Sequence, residues 1–449
     1  MTVKSPDQAS PDKPEQNSWH GPMAVLVAFI TLGTVYGVWF AYSVFLLALV
    51  EDMGWSRSLT AGAISVMSVV HGLSGPMNGR LIERFGAQKV IALGGGLFAV
   101  GMLLTSQIQT WWQLYFTFGV VSAIGISQAG WVPFIVTVER WYPTKLGTAL
   151  GFAMSGIGFG ILVGVPAINA LIETYGWRQT FMFLAALGPL WVIPAALFLL
   201  KMPAKSTHQQ AQEEVSASEG ISEEPSDGLG EEGVSSVAQQ SVPEQPLYHD
   251  WVLKTALRSP RFWLAGACFL TGACVAQILL MHQFAFMVDQ GIAKTESSFI
   301  AGVIGISSIV GQLFWGNLSD RIGRERAYTM AAVCNLLAIG ALVYLSSMLA
   351  LWVAVSFAIF VGLGYGANTP IFPATSRDLF TSPFFPSIFG TLAISGSLGA
   401  AIGAWLGGWL YDVTGGYSAM LVVSAVLAVI SPLLLWLAGP RLPNPAPHE

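Results

Sequence analysis

The sequence predicts an all-α membrane protein whose twelve transmembrane helices form two pseudo-symmetric six-helix bundles. An oily composition, apolar runs of spanning length and a charged segment that occurs twice all point to it. Of 449 residues, 53% are hydrophobic and only 10% charged, and the mean hydropathy is +0.61. Soluble domains carry about a quarter charged residues, so this chain has too few solvating groups to cover a water-facing surface. The net charge of −5 reflects acids gathered in one segment rather than an acidic fold.

A spanning helix needs about 20 mostly apolar residues. Runs of that kind lie at 22–49, 59–79, 90–108, 112–138, 146–171 and 179–200. A second set lies at 262–288, 297–318, 327–347, 350–376, 388–411 and 417–438. Between them, 201–261 is rich in Glu, Ser, Gln and Gly, a composition that cannot bury enough apolar surface to offset ordering entropy. It reads as a disordered acidic linker, and 1–21 and 439–449 read as unstructured ends. The bundles are therefore 22–200 and 262–438. No short apolar core with a small-residue cleavage site opens the chain, so no signal peptide is expected.

Lys and Arg mark the cytoplasmic side of membrane proteins. Only Arg57, Arg178 and Lys294 of the 20 cations fall opposite the linker, leaving 20 − 3 = 17 beside it. Both termini and the linker are thus expected in the cytoplasm, with the protein in the plasma or inner membrane.

The charged segment GRLIERFGAQK at 79–89 recurs as GNLSDRIGRER at 316–326, a shift of 316 − 79 = 237. Each copy joins the second and third run of its half. The repeat extends further, because Pro133 and Arg140 of the fourth run match Pro370 and Arg377 of the tenth. A duplicated unit of this kind typifies secondary transporters.

The repeated segment resembles the loop signature of the major facilitator superfamily. Its second copy supplies Gly316, Leu318, Asp320, Arg321, Gly323, Arg324 and Arg326. Its first copy carries Gly79, Arg84 and Gly86 but has Glu83 for Asp and Gln88 for Arg. Glycine lets helices approach closely, and an acid at a helix end can pair with Arg or face a helix N-terminus. Together with Arg140 and Arg377, these residues are expected to form a cytoplasmic gate that closes in one state and parts in the other.

Within the superfamily, ERWYPTKLGTALGFAMSGIGFG at 139–160 resembles the fifth helix of monocarboxylate porters and oxalate/formate exchangers. SVFLLALVEDMGWSRS at 43–58 and ISGSLGAAIGAWLGGWLYDVTGGY at 394–417 resemble the first link and eleventh helix of the same branch. The resemblance implies a central site between the halves. It also implies an eighth-helix Arg and an eleventh-helix Lys that grip carboxylates. This chain has Gln312 and Ser395 there, and it lacks the first-helix Lys and eighth-helix Asp of animal porters.

Candidate site residues are therefore polar or aromatic rather than cationic. Tyr36, Trp39 and Tyr42 recur every three residues on the first helix. Gln128, Trp131, Gln277, His282, Gln312, Tyr365, Asn368 and Ser395 complete the expected substrate contacts. Ionisable residues inside a membrane are functional candidates by default, so His282 and His71 are the expected proton carriers. His71 has a simpler role available, an interhelical hydrogen bond beside Gly72 and Gly75.

Proton-coupled transport of a monocarboxylate-like solute is the expected function. Efflux of a neutral or amphipathic compound is the alternative, and a non-transporting sensor is a remote one. An unpaired dicarboxylate in low dielectric would cost several kcal/mol, which argues against oxalate. Glycine runs lack the strand and acidic partner of a dinucleotide site, and no phosphate-binding loop occurs. Cys268, Cys274 and Cys334 sit in apolar runs at spacings that suit neither a disulfide framework nor zinc. No enzyme, cofactor, metal or nucleic-acid role is expected. A monomer working with a small solute, protons or a counter-solute, and the bilayer is expected.

Overall fold

The computed structural model describes residues 19–142, 146–201, 251–382 and 385–439. The expected linker between 202 and 250, the residues before 19, Lys145 and the tail beyond 439 lie outside them. Among the described residues the chain is helical throughout, and eleven stretches are long and apolar enough to cross a membrane. One of them, Ala149–Leu199, holds 51 residues and turns back at Gly176, whose φ of 80° and ψ of 162° are not helical. It contains two spans, so the twelve runs read from the sequence are all present.

In chain order the helices are α1 His20–Met53, α2 Arg57–Phe85, α3 Ala87–Thr105 and α4 Trp111–Trp141. The pair divided at Gly176 gives α5 at 146–175 and α6 at 177–199. The second half has α7 Pro260–Asp289, α8 Lys294–Ile322 and α9 Arg324–Ser347. It ends with α10 Leu351–Leu379, α11 Phe385–Thr414 and α12 Ser418–Ala438.

Folding corrects the expected linker boundary. Leu253–Ala256 is a short helix inside the stretch read as linker, and Ala256 is fully buried. The Trp251 ring meets Phe380 edge-on at 5.3 Å, and Ser382 donates to the Trp251 carbonyl at 2.6 Å. Trp251, Leu253 and Ala256 supply apolar surface, so the packed structure includes residues 251–261, which the expected linker had contained.

The duplication is visible in the backbone. Gly86 and Gly323 separate α2 from α3 and α8 from α9 with nearly equal angles, φ 83° and ψ 152° against φ 94° and ψ 154°. Their spacing is 323 − 86 = 237, the shift of the sequence repeat. Such positive φ is strained for any residue with a Cβ.

Packing repeats likewise. Helix α1 lies along α5 in the first bundle, and α7 lies along α11 in the second. The bundles meet along two seams, α2 with α11 and α5 with α8. Glycines bring both seams to backbone contact: a Cβ built on Gly408 would lie 2.8 Å from Arg57 and Ser58 backbone atoms, and one on Gly305 would lie 2.3 Å from the Gly158 carbonyl. Small residues substitute here for the hydrophobic drive that lipid removes.

Helix α4 departs from the continuous helix expected at 112–138. It contains a π-helical stretch, Tyr115–Ser122, then an α-helical turn, then a break at Ala129–Gly130, where Gly130 is extended. A second α-helical segment starts at Trp131. Its repeat partner α10 keeps helical angles at Ala367, φ −69° and ψ −29°, between segments ending at Gly366 and starting at Asn368.

Candidate functional site

The break in α4 is held in place by α2. Asn78, fully buried, donates through Nδ2 to the Ser127 carbonyl at 3.0 Å and to Ser127 Oγ at 2.8 Å. Ser127 Oγ in turn reaches the His71 carbonyl at 3.4 Å. These bonds strengthen the hold on a carbonyl that the interrupted helix itself ties only to the Gly130 amide at 3.4 Å, in an apolar medium where backbone groups need partners. Sequence reasoning missed Asn78; the visible signal was an amide seven residues beyond His71 on the same helix face.

Against this break sits an aromatic and imidazole cluster. Tyr36 of α1 meets His71 of α2 through Oη and Nε2 at 3.0 Å. The Trp39 ring stands edge-on to the His71 ring at 5.2 Å and tilted to Tyr36 at 6.2 Å. A Cβ built on Gly130 would lie 3.0 Å from Tyr36 Oη, so the broken helix presses on the same hydroxyl. Trp131, half-buried, opens the second segment of α4. Across the bundle boundary, Tyr365 of α10 meets Phe40 of α1 edge-on at 5.9 Å. Tyr36, Trp39, His71, Trp131 and Tyr365, drawn from two separate expectations, thus converge on one place. Among the described residues, no Lys or Arg side chain contacts the rings of the cluster.

The other candidates are placed elsewhere. His282 is fully buried in the seam between α7 and α11, where Nε2 lies 2.9 Å from the Ala404 carbonyl and Nδ1 has no partner. A Cβ on Gly407 would strike its ring, so the imidazole fills a notch in α11. The imidazole expected to carry protons and touch the solute is therefore packed between two helices of one bundle. The Gln128 Cβ faces Gly94 of α3, because the winding of α4 before the break turns it away from α1. Gln277 is buried with its Nε2 unpartnered. Gln312 and Asn368 are half-buried on α8 and α10. Ser395 Oγ points at Gly266 of α7. Tyr42 is fully buried and donates to the Thr60 carbonyl at 2.7 Å, a structural bond.

The expected gate residues gather at the terminus-bearing face. In the second copy, Arg324 binds Asp320 at 2.5 Å, Asp378 at 3.1 Å and Ser319 Oγ at 2.7 Å. These bonds join the α8–α9 turn to the end of α10, all within one bundle. Arg321 and Arg377 are exposed, and Gly316 lies against Pro370. In the first copy Glu83, Arg84 and Arg140 are exposed and make no ion pair among the described residues; Gly79 and Gly86 are half-buried. The residue matching Arg324 is Ala87 (324 − 237 = 87), so the cation that organises the second copy is missing. Gln88 instead donates to the Leu200 carbonyl.

At the opposite face the three cations treated as orientation markers all have partners. Lys294 pairs with Glu51 at 2.7 Å, Arg178 donates to the Ile108 carbonyl at 2.8 Å, and Arg57 pairs with Asp289 at 2.6 Å. A cavity of about 350 Å³ beside the Lys294–Glu51 pair is lined by Glu51, Asp52, Asn169, Glu173, Trp177 and Lys294. Their polar groups pair with one another, Trp177 with Asp52 and Asn169 with Glu173. None of the candidates read from the sequence lines it.

Two six-helix bundles, seams of small residues and a polar cluster at a broken helix between them define a secondary transporter of the twelve-helix type. The sequence profile of the Major Facilitator Superfamily matches residues 27–383 and 280–449, and the chain belongs to that family. Among curated proteins it is 24% identical over 397 residues to an uncharacterized MFS-type transporter of Escherichia coli, YhjX, covering 87% of this chain and 88% of that one. It is 24% identical over 431 residues to monocarboxylate transporter 12 of Xenopus laevis, covering 95% and 90%. The oxalate:formate antiporter of Oxalobacter formigenes is 22% identical over 446 residues, covering 94% and 92%. The chain is thus a multi-pass membrane transporter similar to the monocarboxylate and oxalate/formate branch.

Proposed function

We propose that the chain moves a small monocarboxylate-like solute together with a proton, and that Tyr36 and His71 handle both. The observation that carries this reading is the Tyr36–His71 contact of 3.0 Å at the broken α4, in a cluster without a fixed cation. A lone carboxylate entering such a place is unpaired in low dielectric, at several kcal/mol. An imidazole that takes up a proton with the anion makes the pair neutral overall, and His is the side chain suited to that exchange near neutral pH. Tyr36 fixes one ring nitrogen, which leaves the other to face a solute. Trp39, Trp131 and Tyr365 supply apolar and edge contacts for a short carbon chain. Substrates named for the relatives, monocarboxylates and the oxalate–formate pair, support the same class, and the missing cations favour one carboxylate over two.

Charge distribution supports placing both termini in the cytoplasm. The Asp320–Arg324–Asp378 cluster is then the cytoplasmic gate of the second bundle, working in a monomer.

Uptake of labelled pyruvate, lactate or formate into proteoliposomes, with and without an inward proton gradient, tests the reading. Acidifying the outside should raise wild-type uptake. His71→Ala should flatten that response, and Tyr36→Phe should weaken uptake while keeping it pH-dependent. A His71→Ala protein with wild-type pH dependence sinks the assignment. Stabilisation by neutral amphipathic ligands, equal at two pH values and absent with carboxylates, would favour export of such compounds instead.

A further inference from the structure

The polar groups opposite the termini form one connected cluster that joins the bundles. Arg57 opens α2, and its side chain is 8% exposed. Its guanidinium pairs with Asp289 at the end of α7, donates to the Tyr417 hydroxyl before α12, and stacks over the Tyr411 ring of α11 at 3.9 Å. Tyr417 donates to the same Asp289 oxygen at 2.7 Å. Asp412 of α11 accepts from the Arg57 and Ser58 backbone amides at 3.1 and 2.8 Å. A carboxylate of one bundle therefore caps the first turn of a helix in the other, where the helix dipole favours negative charge. Lys294 and Glu51 add a second tie between α8 and α1.

This clustering is one-sided. The hydrogen bonds between described residues that join the bundles cluster at Glu51, Arg57 and Ser58, with Ser65, on the third turn of α2, donating to the Ala401 carbonyl at 2.6 Å. At the terminus-bearing face, Arg324 bonds only within its own bundle. Nor is Arg57 a bystander paired at a wet surface. Its guanidinium is enclosed by two rings and a carboxylate, and the Gly408 contact brings the two backbones together directly beneath it.

We propose that Arg57, Asp289, Tyr417 and Asp412 form a latch that holds the bundles closed at this face, and that releasing Arg57 is the step that opens it. Asp412 contributes from the opposite bundle by satisfying the amides that α2 exposes when the faces part. The proposal is independent of which solute is carried.

Double electron–electron resonance between spin labels at Gln109→Cys and Ser347→Cys reads the opening at this face. Both sites are exposed, one per bundle, and Cys268, Cys274 and Cys334 are replaced in the background. The latched protein should show one short distance. Removing one partner of an enclosed ion pair is strongly unfavourable, so Arg57→Gln and Asp289→Asn should each raise the long-distance population about tenfold. The exchange Arg57→Asp with Asp289→Arg should restore much of the short distance. Monodisperse elution shows that each variant is folded, and Asp289→Asn keeps the test intact should Arg57→Gln fail to express. Identical distributions in wild type, Arg57→Gln and Asp289→Asn would overturn the latch, as would an exchange no better than the single changes.

Discussion

Replacing Gly156 with Val should strongly destabilise the first bundle, and replacing Gly399 with Val should do the same to the second. A Cβ on Gly156 would lie 2.1 Å from the Phe29 carbonyl oxygen of α1, and one on Gly399 would lie 2.0 Å from the Leu270 carbonyl oxygen of α7. Both obstacles are backbone atoms of a neighbouring helix, so no rotamer change relieves them. Forcing volume into a packed contact costs about 1–3 kcal/mol and more when nothing yields. Here the two helices must separate along a seam that runs for several turns, losing close packing throughout. Thermal unfolding in detergent should show each variant well below wild type, whereas Gly151→Ala on α5, which faces open space, should match it. A Gly156→Val protein as stable as wild type would mean that α1 and α5 are not in this contact.

The second large effect is expected at Asn78. Its replacement by Leu removes two bonds to Ser127 and leaves the Ser127 carbonyl at a helix break without its buried donor. The two lost bonds are together worth about 1–3 kcal/mol, because the Ser127 carbonyl keeps only the 3.4 Å bond from the Gly130 amide. Part of that appears as lost stability. The rest appears as loss of the single geometry that sets Gly130 against Tyr36. Since about 1.4 kcal/mol corresponds to a factor of ten, uptake should fall about tenfold or further while the protein still elutes as a folded species. Asn78→Asp, which keeps the shape but not the donor, should be similarly impaired. Uptake within twofold of wild type in Asn78→Leu would remove α2 from the support of the site.

Much of the architecture was legible because membrane spans announce themselves by length and oiliness. The internal repeat was equally plain: equal spacing placed Gly86 and Gly323 in matching turns. The candidate site was legible residue by residue but not as an arrangement. Tyr36 and His71 were picked for different duties, and only folding shows that they touch across 35 positions of chain. Gln128 was misplaced for a physical reason. Depth along the span was the ground for choosing it, and depth does not say which side of α4 a residue takes once the π-helical stretch at Tyr115–Ser122 has shifted the winding. Arg57 was read only as a marker of sidedness, since its partners Asp289 and Tyr417 stand 232 and 360 positions away. Single-sequence periodicity carries no information about such pairs. His282 was expected to carry protons because ionisable residues inside a membrane are scarce; the notch at Gly407 that receives its ring lies on a helix far along the chain.

The wide winding at Tyr115–Ser122 has a mechanical consequence. A coil that bonds five residues apart instead of four holds one residue of slack, so the fourth span carries spare contour in the third nearest the face opposite the termini. Deleting Val120 or Val121 would let that stretch relax to ordinary α-helix and leave Ser127, Gly130 and Trp131 in their present register. The same deletion a turn later, at Ile124, would swing everything beyond it by about 100° and carry Gly130 off the Tyr36 hydroxyl. The span is thus built like a cable with a service loop, able to take up or release a residue's length at one end while its working segment stays aimed.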